Sequence, residues 1–233
     1  SSPSSQPLFE VERFRPERRR VAVVREVAHP TLVLGSTQPT DLVSPDTLRE
    51  RSVELVRRRG GGGAVYLEPG AFLWVDAWIP RDDVLWAHDV SVAAEWVGRW
   101  WIAALAGVGS GDAAAGALSV HTGRSAPGSF GDLVCFAGRG PGEVFFDDRK
   151  IVGLSQWRSR EGALFSSCAY LEWDAAPLLE LLSFDDPTRS ELAGELRDVA
   201  AGVGALSPSV SELAWLRERL VGAFPAIGVA GGA

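Results

Sequence analysis

One lysine, Lys150, stands among the 23 basic residues of this 233-residue chain; the rest are arginines. An ammonium is a compact, pointed donor, and a planar guanidinium cannot replace it where a carbonyl or phosphate oxygen must be reached in a narrow space. Chance in an arginine-rich composition would give the same count, and the sequence alone leaves both readings open. A second stretch with chemical potential is Arg57-Arg58-Arg59-Gly60-Gly61-Gly62-Gly63, followed at once by the apolar run AVYLEPGAFLWV. Four glycines let the backbone enter positive φ and let a ligand touch main-chain amides. Arginines beside them can hold a phosphate or carboxylate. The competing reading is a plain tight connection. The stretch is not a P-loop, because no Gly-Lys-Ser/Thr follows. Nor is it a dinucleotide fingerprint, since it opens a strand and not a helix. It does not repeat, unlike a disordered Arg-Gly tract. The third candidate is Cys135, fifteen residues before Lys150. A thiolate beside Arg139 or Lys150 would be an activated nucleophile; a buried structural cysteine is the alternative. Cys168 alternates with Leu164 and Tyr170 and reads as core.

The elements that must position these groups follow from periodicity. RVAVVREV (20–27) and TLVLGST (31–37) read as short strands. Ser44-Pro45 starts a helix that should run to about Arg59, with Leu48, Ser52, Leu55 and Val56 inward and Gly60 as its stop. Ala64–Leu67 and Phe72–Ile79 read as strands joined by the turn Glu68-Pro69-Gly70. From Asp89 to Leu105 the spacing turns helical, with Trp96, Trp100 and Trp101 on one face and Gly107 and Gly109 ending the run. Core packing is the first reading of that tryptophan face, a ligand wall the second. Residues 110–132 are small and loop-like and could carry a lid. Strand-like runs follow at Asp132–Ala137, Glu143–Phe146, Ile151–Arg158 and Ala163–Trp173. Helices close the chain near Ala175–Leu182, Thr188–Ala201 and Val210–Ala223, the last with a capping box at Ser209 and Glu212. Leading strands with inserted and trailing helices predict an α+β fold around a mixed, largely antiparallel sheet. The length suits one domain spanning 1–233, with flexible tails at 1–7 and 226–233 and no accessory C-terminal domain.

Composition excludes several classes. A net charge of −7 argues against a nucleic-acid partner. His29, His88 and His121 are scattered and the two cysteines form no CxxC pair, so no metal site built from protein ligands alone is expected. Sparse cysteine fits a reducing cytoplasm. No signal peptide is expected, and WVGRWWIAALAGVG is too short to span a bilayer, so no membrane partner is expected.

Together, the glycine loop and the lysine segment resemble the catalytic domain of the biotin/lipoate protein ligase family, in its lipoate-protein ligase A-like branch. That branch carries Arg-Arg-x-Ser/Thr-Gly-Gly-Gly-Ala-Val-Tyr/Phe-His, to which Arg57 through Tyr66 correspond. It also carries Gly-Arg-Lys-Ile-x-Gly-x-Ala, to which Asp148-Arg149-Lys150-Ile151-Val152-Gly153-Leu154-Ser155 correspond. The resemblance spans roughly Arg20 to Asp174. It departs at Gly60 (Ser/Thr), Leu67 (His), Ala71 (Asn) and Ser166-Ser167-Cys168 (His-Gly-Thr). It implies activation of lipoate or octanoate as an acyl-adenylate with ATP and magnesium, then transfer to a lysine of a lipoyl-type acceptor domain. It places Lys150 on the substrate carboxyl and phosphate. It assigns adenylate or substrate contacts to Arg58, Gly61, Gly62, Gly63, Ala64, Val65, Tyr66, Ile151, Gly153 and Ser155. Some relatives are octanoyl transferases that form a cysteine thioester in a loop ahead of the lysine, a position similar to Cys135; that route needs neither nucleotide nor metal. The glycine-rich form of the first motif, GGGAVY, favours the ligase; the expected lack of an accessory domain favours the transferase or implies a separate accessory protein. A non-catalytic ligand-binding relative is the third reading.

Overall fold

The computed structural model describes residues 18–106, 118–206 and 213–224. Among these residues nine strands form two sheets: β1 (Val21–Arg25), β2 (Thr31–Leu34), β3 (Glu54–Arg57), β4 (Val65–Leu67), β5 (Phe72–Pro80), β6 (Leu118–Val120), β7 (Val144–Phe146), β8 (Arg149–Arg158) and β9 (Gly162–Tyr170). The larger sheet has the order β1-β5-β9-β8-β7-β6, and each neighbouring pair is antiparallel. The smaller sheet, β3-β2-β4, pairs β2 with β3 in parallel and with β4 in antiparallel fashion. The class is therefore α+β with a mixed, largely antiparallel strand set, as the element order predicts.

The helices are α1 (Pro45–Glu50), α2 (Val90–Leu105), α3 (Ala176–Leu181), α4 (Asp186–Val199) and α5 (Ala214–Ala223). The central strands β5 and β9 are buried along nearly their whole length because both faces of the large sheet are covered. One face packs on α2 and α5, with Val97, Trp101 and Leu220 in that core. The other packs on the small sheet, α3 and α4, with Leu32, Val65 and Leu192. The tryptophan stripe of α2 is core: Trp101 is fully buried and its Nε1–H donates to Ser167 Oγ at 2.9 Å, while Trp96 stacks on Trp100.

Four expectations are corrected. The helix from Pro45 stops at Glu50 instead of reaching Arg59. Ser52 takes φ of 53° and the Val53 N–H returns to Leu48 O at 2.9 Å, which closes the helix. Leu55 and Val56 then sit in β3, opposite Leu32 and Val33, so the apolar pair mistaken for a helix face is a parallel strand. Asp132–Ala137 is a run of tight turns and not a strand; the Leu133 N–H bonds to Phe130 O and the Ala137 N–H to Val134 O. The loop expected over 110–132 contains β6, which extends the sheet beside β7. The last strand ends at Tyr170 rather than Trp173, because Trp173 turns in to stack on Phe136 at 4.6 Å. The tails 1–7 and 226–233, Gly107, Gly109, the first part of the 110–132 segment and the Ser209–Glu212 box lie outside the described residues.

Candidate functional site

The glycine loop is shaped from beneath by arginine. Arg57, at the end of β3, donates to Gly35 O at 2.7 Å and to Gln38 O at 2.6 Å, fixing the turn that follows β2. Arg58 is buried under the loop and donates to Gly61 O at 2.7 Å and Gly63 O at 2.8 Å. Those carbonyls are thereby turned inward. Among the described residues no internal acceptor takes the N–H groups of Gly61, Gly62 or Gly63. Burial lowers the proton affinity of Arg58, and the nearby Cys135, Cys168 and Tyr170 groups oppose that shift. Arg59 lies over the Trp157 ring at 5.4 Å, tying the loop to β8. Gly62 has φ of 91°, and a Cβ on Gly63 would lie 2.4 Å from the Val134 carbonyl carbon. Neither position tolerates a side chain without movement.

Lys150 rises from the start of β8, after a two-residue turn in which Asp147 and Asp148 both have positive φ, 47° and 62°. That is the backbone a tight β7–β8 hairpin requires. Asp148 takes this conformation where the family motif has glycine. The Lys150 side chain is 1% exposed; Nζ lies 2.7 Å from Glu143 Oε2 and donates to Cys135 O at 2.8 Å. Glu143 is held in turn by the amide of Gly140 at 2.6 Å and, at 3.4 Å, by that of Leu154. Burial pushes the Glu143 carboxyl up, and the Lys150 ammonium and the two amides pull it back.

Gly61–Gly63 and Lys150 line one cleft of about 490 Å³. Cys135, Glu143, Leu154, Ser155 and Gln156 also face it, and Val90 and Ser91 at the start of α2 close one side. Gln156 Nε2 is buried without a hydrogen-bond partner among the described residues, a donor suited to a ligand oxygen. Cys135 retains some exposure, yet burial is the largest influence on its thiol and raises it, against Arg58 and Lys150, which lower it. Its Sγ would be 3.3 Å from a Cβ placed on Gly153, so that glycine makes room for it.

Of the residues singled out from sequence, Gly61, Gly62, Gly63, Ser155, Lys150 and Cys135 come together in the cleft lining. Arg58 supports the loop from behind. Ala64, Val65 and Ile151 are packed in the cores, and Tyr66 is half-buried, its carbonyl accepting from Tyr170 Oη at 2.6 Å. These four shape the site from outside its lining. Glu143, Gln156, Arg158 and Ser91 also line the cleft, with no motif to mark them as site residues in the sequence. The signal for Glu143 was present: a single buried lysine needs a carboxylate partner, and Glu143 lies seven residues upstream across a hairpin. The motif departures have local causes. A Cβ on Gly60 would lie 2.8 Å from Ser155 Oγ, so β8 supplies a hydroxyl where the motif's loop carries one. Leu67 is fully buried. Ser166 donates to Asp76 Oδ1 at 2.6 Å and Cys168 is core, as expected.

A loop of unengaged amides and a buried ammonium thus share one cleft beside a largely antiparallel sheet. The chain belongs to the lipoyl protein ligase A/B catalytic domain family, which it matches over residues 12–224. A search of curated proteins finds no match. Among solved structures it is similar to the bipartite lipoate protein ligase of Thermoplasma acidophilum, described with its E2 lipoyl domain. That match has a TM-score of 0.71 at 18% identity, covering 93% of this chain and 75% of that one. It is also similar to a lipoate-protein ligase A bound with ATP, with a TM-score of 0.67 at 17% identity, covering 93% and 77% of the two chains. Similarity extends to LipL1 of P. falciparum in complex with lipoate, with a TM-score of 0.59 at 12% identity, covering 88% of this chain and 48% of that one. At these identities the likeness speaks for the fold. Among the described residues no helix is long and apolar enough to cross a membrane.

Proposed function

We propose that the protein activates lipoate or octanoate with ATP as an acyl-adenylate and transfers the acyl group to a lysine of a lipoyl-type acceptor domain. The observation that carries this reading is the cleft itself, where the chain's one ammonium and the unengaged amides of Gly61–Gly63 line a common space. Acyl transfer builds negative charge on the carbonyl oxygen, and adenylate formation builds it on phosphate; fixed donors in a buried site stabilise both. Lys150 carries three N–H groups. Two meet Glu143 and Cys135 O, which leaves one for substrate. A phosphate-bound magnesium needs only one or two carboxylates from protein. Asp132 lines the cleft and Glu143 is engaged by Lys150, so Asp132 is the residue that would hold the ion together with the phosphates. The bipartite relative supports a separate accessory protein as a partner of this chain.

A specific observation favours a second route through a thioester at Cys135: the residue lines the same cleft, and its own carbonyl is held by Lys150. The two routes separate in one experiment. The protein is incubated with octanoate or lipoate, ATP and magnesium, and in parallel with an octanoyl-carrier protein and no nucleotide. The adenylate route gives ATP-dependent acyl transfer that survives Cys135→Ala. The thioester route gives an acyl mass on Cys135 without ATP and is abolished by Cys135→Ala. If neither donor acylates an acceptor domain, but lipoate still binds and Lys150→Ala merely weakens that binding, the domain is a binding module.

A further inference from the structure

An amine beside an activated acyl group is itself an acceptor. The proposed reaction ends with an amide on another protein's lysine, and the chain's single lysine lines the cleft where the acyl group would be activated. A neutral Nζ there would attack the acyl carbon. The carbon's bond to the phosphate oxygen, or to a thioester sulfur, would break; AMP or thiol would leave with the electron pair, and the proton from nitrogen would pass to solvent. The product, an amide at Lys150, would be a dead enzyme. An ammonium has no lone pair and cannot take this path.

A buried ammonium needs a charged partner. Glu143 is that partner, 4% exposed, with Oε2 at 2.7 Å from Nζ. The carboxylate cannot swing away freely, because the Gly140 amide before β7 and the Leu154 amide in β8 grip its two oxygens at 2.6 and 3.4 Å. Cys135 O accepts a second Nζ hydrogen at 2.8 Å. With two of three N–H directions fixed by rigid neighbours, the third is fixed as well.

We infer that Glu143 is a positioning residue that holds Lys150 as an ammonium, aims its remaining N–H at the acyl oxygen, and thereby keeps the enzyme from acylating its own lysine. This rests on the acyl-transfer reading above and applies to either donor. The test compares wild type, Glu143→Gln, Glu143→Asp and Lys150→Ala, each supplied with synthetic octanoyl-adenylate or an octanoyl-carrier thioester. Hydroxylamine then strips thioesters, and peptide mass spectrometry reads octanoyl amide at Lys150. For Glu143→Gln we expect kcat to fall at least about tenfold with KM for the acyl donor little changed. Octanoyl-Lys150 should appear in clear excess over wild type, and Glu143→Asp should restore part of the rate and suppress the amide. No excess of octanoyl-Lys150 in a folded Glu143→Gln protein overturns the inference, whatever its rate. Full turnover by Lys150→Ala overturns the underlying reading instead. Should Glu143→Gln fail to fold, wild-type protein labelled with isotopic lysine still decides. Its single side-chain NMR signal must show an ammonium at neutral pH, and a neutral-amine signal overturns the inference.

Discussion

At the residue scale, the glycine loop makes two different demands on its members, and substitution separates them. Gly63 has no room: an added Cβ would lie 2.4 Å from Val134 C, 2.5 Å from Val134 N and 2.6 Å from Cys135 N, all main-chain atoms. Gly63→Ala is therefore expected to destabilise the fold by about 1–3 kcal/mol, measured by denaturant unfolding. Gly61 is different. A Cβ there meets nothing within 4 Å, and its backbone is not in the positive-φ region. Gly61→Ala should unfold like wild type and yet raise KM for the acyl substrate, because the methyl enters the cleft that Gly61 lines. Unchanged KM would show that ligand does not approach the loop's main chain. The repeated glycine was legible in sequence, but the difference between Gly61 and Gly63 was not. It depends on Val134 and Cys135, some seventy residues away in the chain.

At the element scale, α2 owes its start to Asp89, whose carboxylate accepts from Ser91 N at 2.8 Å and Val92 N at 3.1 Å. The amides of Val92 and Ser91 hold this carboxyl below the usual carboxylate range. A carboxyl depressed on folding stabilises the protein above its unfolded value, near 3.9, and that stabilisation is lost as pH falls through the lower, folded value. Asp89→Ala should thus lower the melting temperature at pH 7, with the difference from wild type shrinking in acid below the ordinary carboxylate range. A thermal melt at several pH values checks this. Since Val90 and Ser91 wall the cleft, the same variant should also weaken substrate binding. The cap was readable from the aspartate ahead of a helical period. The end of α1 at Glu50 was not: Leu55 and Val56 satisfy helical spacing, and only pairing with Leu32 and Val33 makes them a strand.

At the scale of the whole molecule, the large sheet is a partition with a core on each face, and the site lies between its strand β8 and the glycine loop of the small sheet. Lys150 belongs to the large sheet and the glycine loop leads from β3 to β4 of the small one, so their spacing depends on both cores. Trp101 anchors the α2 face, fully buried with its indole nitrogen on Ser167 of β9. Trp101→Ala should cost about 3–5 kcal/mol, read by chemical denaturation. It should loosen β9 and β8 with it, so acyl transfer should fall at temperatures where wild type remains fully active.

The sequence by itself determined the class of fold, the glycine loop, the singular lysine and the family, because each is written in local composition and order. Tertiary structure alone decided that Asp132–Ala137 folds as turns against the loop, that Arg58 holds carbonyls from beneath, and that Glu143 meets Lys150. The physical reason is burial. A buried ammonium, a buried guanidinium and a loop with no space for a side chain are set by what packs around them, and their neighbours come from distant parts of the chain.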